Sequence, residues 1–273
     1  MKSIGKPSKM LGVAVGEKSM LLAEVAVSGG TYSVLHVGQF TYAAGQSLAE
    51  PHALGAALGQ YLKSNGFGAR RAVFGLPAKW VLSKTKDVPA ADEATVSSML
   101  RLQSESDFSP ELKDMVYDYT GTPSTRGEST VLLLATPRKH IEQINAIADS
   151  AKLDVHGVTV SVAALSAATS RVRKNSLVLA LGPGGAELGA QPVSGPTVLR
   201  HVGPATAAAS PMLMGELRRA TAAVNGNGNG FGSTNGNGNA QRELILWDDE
   251  AGDAAASAMA ACRSMGQAAG LSV

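Results

Sequence analysis

The sequence predicts an α/β protein of two lobes, each built on a mixed β-sheet flanked by helices. Three observations carry this. A short apolar run at residues 10–15 meets the turn Gly16-Glu17-Lys18-Ser19, and a second run at 20–27 leaves it. Apolar stretches on either side of a Gly-led turn signal a hairpin. The same figure returns as 177–181, Gly182-Pro183-Gly184-Gly185 and 186–191. Each hairpin is followed by a second turn and a third strand-like run, at 32–42 and 197–202, so that Ala14 matches Ala180 and the two meanders are repeats of one design. Between them strand-like and helix-like segments alternate, a pattern that requires mixed sheets with helices against them.

A chain of 273 residues that is 44% hydrophobic can bury a core large enough for two lobes. Only 4% is aromatic, so Ala, Val, Leu and Gly must do the packing. The net charge is +2, from 24 basic and 22 acidic residues, which gives no general reason to expect nucleic acid or a membrane surface as partner. A single cysteine, Cys262, excludes an internal disulfide and a cysteine-based metal cluster, and fits a reducing compartment. The apolar run after the basic stretch MKSIGKPSK is too short for a signal-peptide core, and no run approaches the roughly 20 apolar residues of a membrane span. The expectation is a soluble, cytoplasmic chain with a loose tail over 1–9, a first lobe over 10–175 and a shortened second lobe over 176–273.

In the first lobe, Leu54, Leu58, Tyr61 and Leu62 share a helical face and Asn65-Gly66 stops the helix. Residues 71–76 form a strand ended by Pro77, and 80–88 a more polar strand beginning at Trp80. A helix over 90–106 carries Asp92 and Glu93 in its first turn, where the helix dipole favours acids, and an apolar stripe of Val96, Met99 and Leu100. Phe108-Ser109-Pro110 breaks it. Strands at 115–120 and 130–135 follow, and Thr136-Pro137 reads as a helix cap with Pro at the first position. The stripe Ile141, Ile144, Ala148 and Ala151, a strand at 155–160 and a small-residue helix at 163–172 complete the lobe. In the second lobe a helix is expected within 206–224, then a disordered Asn/Gly loop at 225–239 that cannot bury enough surface to offset its ordering entropy. A strand at 243–247 and a helix at 251–269 end the chain.

The stretch GLPAKWVLSKTKDVPAADEATVSSMLRLQSESDFSPELKDMVYDY is more specific. Leu76-Pro77, Asp92-Glu93, Phe108 to Pro110 and Asp118-Tyr119, in that order, resemble the pilus-assembly PilM family and the related cytoplasmic domain of the GspL secretion proteins. The resemblance covers about residues 11–191 well and the remainder weakly. It implies an actin-like (ribonuclease H-like) ATPase fold. It also implies a place at the cytoplasmic face of the inner membrane, reached through partners: the PilN-like tail of a membrane assembly protein, and an assembly ATPase.

In active members of that superfamily the two Gly turns wrap nucleotide phosphates with backbone N–H groups. An Asp on each preceding strand holds Mg²⁺, because a hard cation wants carboxylate oxygens. Here those positions are Ala14 and Ala180. Pro183 removes a further N–H from the second turn. The expected third Gly turn reads Trp247-Asp248-Asp249-Glu250, bulky and acidic where a polyphosphate would sit. The reading is a pseudo-ATPase with neither cofactor nor metal, whose phosphate turns Gly16, Lys18, Gly182, Gly184 and Gly185 are vestigial.

Simpler readings compete at each residue. The turn glycines serve equally as hairpin residues with positive φ, and Lys18 as a solvated turn residue. His36, His52, His140, His156 and His201 lack metal-ligand spacing. Cys262 has the small apolar neighbours of a core filler. Glu187 and Glu243 are candidate bases or merely strand-end charges. Trp80, Met99 and Phe108 are candidate anchors for a partner's tail, or packing of the first lobe. The function classes that remain are a scaffold of a type IV pilus or type II secretion platform, able to form a homo-oligomer, and a diverged working ATPase or kinase. A weaker third is an orphan domain with an unrelated partner.

Overall fold

The computed structural model describes residues 8–107, 114–173, 176–190, 198–204, 211–226, 243–248 and 253–273. The Gly16 turn joins strand β1 (Ser8–Val15) to β2 (Ser19–Ser28), and Gly29 and Gly30, both at positive φ, turn the chain into β3 (Thr31–Thr41). Helix α1 (Pro51–Ser64) starts on Pro51 and stops at Asn65. There Gly66 takes φ 78° and the Phe67 N–H reaches the Leu62 carbonyl, a Schellman end. Strand β4 (Arg71–Leu76) occupies the residues the sequence indicated. A 3₁₀ turn (Ala78–Trp80) precedes β5 (Leu82–Val88), and Asp92 caps helix α2 (Glu93–Asp107) by accepting the Thr95 N–H at 2.7 Å. Strands β6 (Met115–Thr120) and β7 (Ser129–Pro137) lead into α3 (Arg138–Ala151), β8 (Asp154–Val160) and α4 (Ser161–Ser170). The second meander is β9 (Leu177–Gly182), β10 (Gly185–Ala190) and β11 (Val198–Gly203), followed by α5 (Pro211–Gly226), β12 (Leu244–Asp248) and α6 (Asp253–Ala268).

Four expectations need correction. Trp80 lies in the 3₁₀ turn rather than in a strand, because the Val81 N–H closes onto the Ala78 carbonyl at 3.1 Å straight after Pro77. Thr136 and Pro137 finish β7, opposite Val116 and Met115, and do not cap α3. The Thr136 hydroxyl instead donates to the Trp80 carbonyl at 2.9 Å, and Pro is tolerated where a strand needs no further N–H. Ser8 and Lys9 belong to β1 rather than to a tail, since the Lys9 ammonium pairs with Glu24. Asn225 and Gly226 continue α5, so the Asn/Gly loop does not begin at 225; residues 227–239, like Phe108-Ser109-Pro110, lie outside the described residues.

The chain divides into two compact units that do not follow the linear boundary expected at 175/176. One comprises Met1–Pro77 with Arg138–Ser161, the other Ala78–Pro137 with Val162–Val273. In the first, five strands are ordered β3-β2-β1-β4-β8, the meander antiparallel and β4 and β8 parallel to β1. Helix α1 covers one face: a methyl added at Gly38 of β3 would fall 2.7 Å from the Tyr61 hydroxyl. Rings of His36, Phe67, Tyr61, Phe40 and Tyr42 run in contact along this side, which concentrates a scarce residue class where helix meets sheet. Gly55 and Gly59 let α1 approach α3 backbone to backbone, against Ile147 and Ala151.

The second unit repeats that order as β11-β10-β9-β12, with β12 parallel to β9. Its core joins Leu177, Leu179 and Leu188 to Leu213 and Leu217 of α5 and Cys262 of α6. A separate antiparallel sheet, β5-β7-β6, packs on α2 through Val88, Val96, Leu100, Met115, Val131 and Leu133.

Candidate functional site

The two glycine turns close differently. In the first, the Gly16 N–H donates to the Ser19 carbonyl at 3.0 Å and is engaged within the turn itself. The residue that follows the meander's third strand holds the turn down. Tyr42 donates its N–H to the Lys18 carbonyl and its half-buried hydroxyl to the Gly16 carbonyl, each at 2.9 Å, and burial pushes that phenol up from its ordinary value. In the second turn, Gly182 pairs with Gly185 and only Pro183-Gly184 forms the loop. Of the four turn glycines only Gly185 has positive φ, 102°, and a methyl there would meet the Gly203 carbonyl at 2.5 Å. The positive-φ reading therefore holds for Gly185 and fails for Gly16, Gly182 and Gly184, which lie in ordinary backbone regions.

Ala14 and Ala180 occupy equivalent places. Ala14 stands on β1 between Leu21 and Gly75. Ala180 stands on β9 between Glu187 and Trp247. Paired residues on neighbouring strands project to the same face, so in the second unit a carboxylate and an indole flank the methyl of Ala180. Trp247 is 49% exposed. Asp248 ends β12, and Asp249 and Glu250 lie outside the described residues.

Glu187 is not a strand-end charge: it is interior to β10 and buried. Its Oε1 accepts the Ala78 N–H. Burial pushes its pKa up to about 7, against the opposing pull of that hydrogen bond and of Lys79. Glu243 differs, holding only an exposed ion pair with Arg173 at 3.7 Å, a contact of small energy. Cys262 is fully buried with its pKa raised to about 11, a packing residue held as the neutral thiol.

The histidines are scattered. His36 lies against the Phe67 ring, His52 beside Ser150, His140 beside Gln143, His156 beside Arg71, and His201 opposite Glu187. Among the described residues no group of three His, Cys, Asp or Glu side chains could hold a metal.

The candidate anchors separate. Trp80 and Met99 fall in the second compact unit, not with the β1–β3 meander as a lobe over 10–175 required. Trp80 is half-buried, and Met99 packs against the α2 cluster. Phe108 lies outside the described residues.

Sequence reasoning missed one buried acid that it could have found. On β2 the inward phase runs Met20, Leu22, Glu24, Ala26, so a carboxylate there demands partners. It has them: Oε1 lies 2.9 Å from Lys9 Nζ, and Oε2 accepts the N–H groups of Gly68 and Ala69 at 2.6 and 3.0 Å. Burial works to raise its pKa, but Lys9 and the two N–H groups together hold it below the ordinary value.

No family model matches the chain, and no curated protein matches its sequence. Solved structures do match in fold. The PilM–PilN type IV pilus biogenesis complex aligns at TM-score 0.69 and 16% identity, covering 96% of this chain and 86% of that one. The cytoplasmic domain of EpsL, an inner-membrane component of the type II secretion system of Vibrio cholerae, aligns at TM-score 0.50 and 13% identity, covering 96% and 95%. A Bacteroides thetaiotaomicron protein described as having an actin-like ATPase fold aligns at 0.49 and 9%, covering 97% and 91%. This chain has the actin-like fold. At such identities the likeness is one of architecture, and it agrees with the repeated strand order of the two units. Among the described residues no helix is long and apolar enough to cross a membrane.

Proposed function

We propose that the protein is a non-enzymatic scaffold of a type IV pilus or type II secretion assembly platform, held at the inner membrane by the cytoplasmic tail of a PilN-like partner. The observation that carries this reading is the fold likeness to PilM, solved in complex with PilN, over 96% of the chain. Ala14 and Ala180 supply the non-enzymatic part: a methyl at each position offers no oxygen to Mg²⁺. The engaged Gly16 N–H and the proline of the second turn remove phosphate donors as well. The tail docks on the second compact unit near the β5-β7-β6 sheet, with Trp80 as the anchor and Met99 of α2 as a further contact, by main-chain pairing with side-chain pockets; Phe108 is the third candidate the sequence offers.

The test is calorimetric titration of the full chain with Mg-ATP and, separately, with the tail peptide of the membrane partner made in the same cell. The expected result is no heat with Mg-ATP and saturable binding of the tail. A micromolar dissociation constant for Mg-ATP would overturn the pseudo-ATPase reading. Unchanged tail binding by folded Trp80→Ala and Phe108→Ala variants would move the dock elsewhere.

A further inference from the structure

Glu187 reaches out of its own sheet to hold a segment 109 residues earlier in the chain. Its Oε1 accepts the Ala78 N–H, and Ala78 opens the 3₁₀ turn that carries Trp80. That turn lies against β11. The pairing of β10 with β11 shifts register between Ala186 and Glu187, which leaves Val202 without a partner on β10. A bulge of this kind bends the strand and re-aims the side chain beside it. Within the turn the Val81 N–H closes onto the Ala78 carbonyl, and the Thr136 hydroxyl donates to the Trp80 carbonyl.

The elements packed around Glu187 bring it few charges. Strand β9 sets Ala180 beside it and carries no ionisable side chain. Helix α4 lies against Gly189, two residues along the same face, and carries none either. Asp248 of β12 pairs with Leu181, and Arg200 of β11 with Leu188, so both belong to the opposite face. That leaves His201, exposed and opposite Glu187 on β11, and Lys79 of the turn. Burial outweighs the pull of Lys79 and of the single N–H, which keeps a proton on the carboxyl well above the ordinary range.

We propose that Glu187 is a positioning residue for the Trp80 turn, holding it against the second meander while protonated and loosening it once ionised. With the turn seated, the carboxyl is shut away from water. A turn that lifts off β10 lets water in, and the proton then leaves as it does from an ordinary glutamic acid. Seating and proton binding are therefore linked. The seated turn holds the proton more tightly, so its stability is whole below pH 4.5, falls between pH 4.5 and about 7, and is level above that. Glu24 cannot act in this way, because Lys9 and two N–H groups keep its carboxylate ionised over the same range. That the turn presents an anchor to a partner's tail rests on the function proposed above; the pH-dependent seating does not.

Residue-resolved amide hydrogen exchange of the full chain from pH 5 to 7.5, with no tail present, tests it. After correction for intrinsic exchange, the opening constant at the Ala78 amide should rise about fifty-fold over that range. At pH 7.5 it should exceed that of the β9 ladder amides by at least ten-fold, as a local opening requires. In Glu187→Gln, which keeps the acceptor and loses the charge, it should change by less than three-fold. Should that variant fail to fold, His201→Ala, at an exposed site, must retain the rise. A flat Ala78 profile in the wild type overturns the proposal. So does an opening constant equal to that of β9, because the whole unit is then unfolding, and so does a rise that survives Glu187→Gln or vanishes in His201→Ala. A chain that shows the rise and binds no tail keeps this role for Glu187 and loses only the docking function.

Discussion

The two meanders are the same drawing executed under different constraints. Both place alanine two residues before the turn glycine, both run antiparallel through three strands, and both add a parallel strand beside the first. Yet the register position opposite the alanine is Leu21 in one and Glu187 in the other, and the parallel neighbour is Gly75 in one and Trp247 in the other. Each unit buries one carboxylate in its second strand, Glu24 and Glu187, and treats it oppositely. Glu24 is solvated by a cation and two N–H groups, whereas Glu187 has one N–H and a low-dielectric setting. Burial alone thus does not decide whether an acid in a sheet is charged; the number of donors aimed at it does.

Breaking the better-served acid should have the largest effect. Glu24→Ala strands the Ala69 N–H in the interior and takes the partner from that of Gly68 at the surface, and a loss of about 3 kcal/mol at pH 7 is expected by urea denaturation. Because the folded pKa of Glu24 lies below its unfolded value, its contribution is present above the unfolded pKa and fades as pH falls through the folded one. The wild type should therefore lose stability on acidification more than the variant does. A variant as stable as wild type at pH 7 would mean that the Lys9 and backbone contacts contribute nothing net.

Glu187→Gln should have the opposite sign. The folded pKa of about 7 lies above the ordinary 4.5, so this acid favours folding below pH 4.5 and opposes it increasingly as pH rises toward and past 7. Glutamine keeps an acceptor for the Ala78 N–H while removing the charge. A gain of about 3 kcal/mol at pH 8 is expected, vanishing at pH 4.5. Melting curves at both pH values decide it, and a variant destabilised at pH 8 would show that the carboxylate is ionised and well served.

A smaller effect sharpens the contrast in coverage. At Gly189 a Cβ would come 2.9 Å from Val162 Cγ2 and 3.1 Å from the Val162 carbonyl, and would also run into Ser166. Gly189→Val should lose about 2 kcal/mol by overpacking. Ala23→Val, at the matching half-buried position on β2, should change stability by less than about 0.5 kcal/mol. Equal losses at the two positions would show that both faces are covered.

Much of the architecture was legible because its signals are local. Apolar runs broken by glycine fixed both hairpins, and β4 ends at Pro77 as its proline requires. What misled was chemistry whose partner lies far along the chain. Thr136-Pro137 has the composition of a helix start, but the hydroxyl is drawn to the Trp80 carbonyl 56 residues away. Glu187 looked like surface charge because nothing beside it in sequence reveals that Ala78 will donate to it. The unit boundaries failed for the same reason: a segment inserted between β4 and α3 packs with the second meander rather than with the strands that flank it. At the turns, Ala14 and Ala180 could be read directly, whereas the pinning of Gly16 by Tyr42 had no signal at all.

Helix α6 ends as α1 and α3 do. Gly270 turns at φ 78°, the Leu271 N–H returns to Gly266, and Leu271 is buried in the core. After α3 the same motion delivers the chain to β8, the fifth strand of the first sheet. After α6 it delivers Ser272 to a single bridge with Glu243, whose neighbour Leu244 donates its N–H to the Ser272 carbonyl at 2.7 Å. One amide therefore acts as a reporter for an entire docking event. Its deuterium uptake is slow only while residues 271–273 stay seated, so the exchange half-life of Leu244 reads out the opening equilibrium of the α6 end without any label or perturbing substitution.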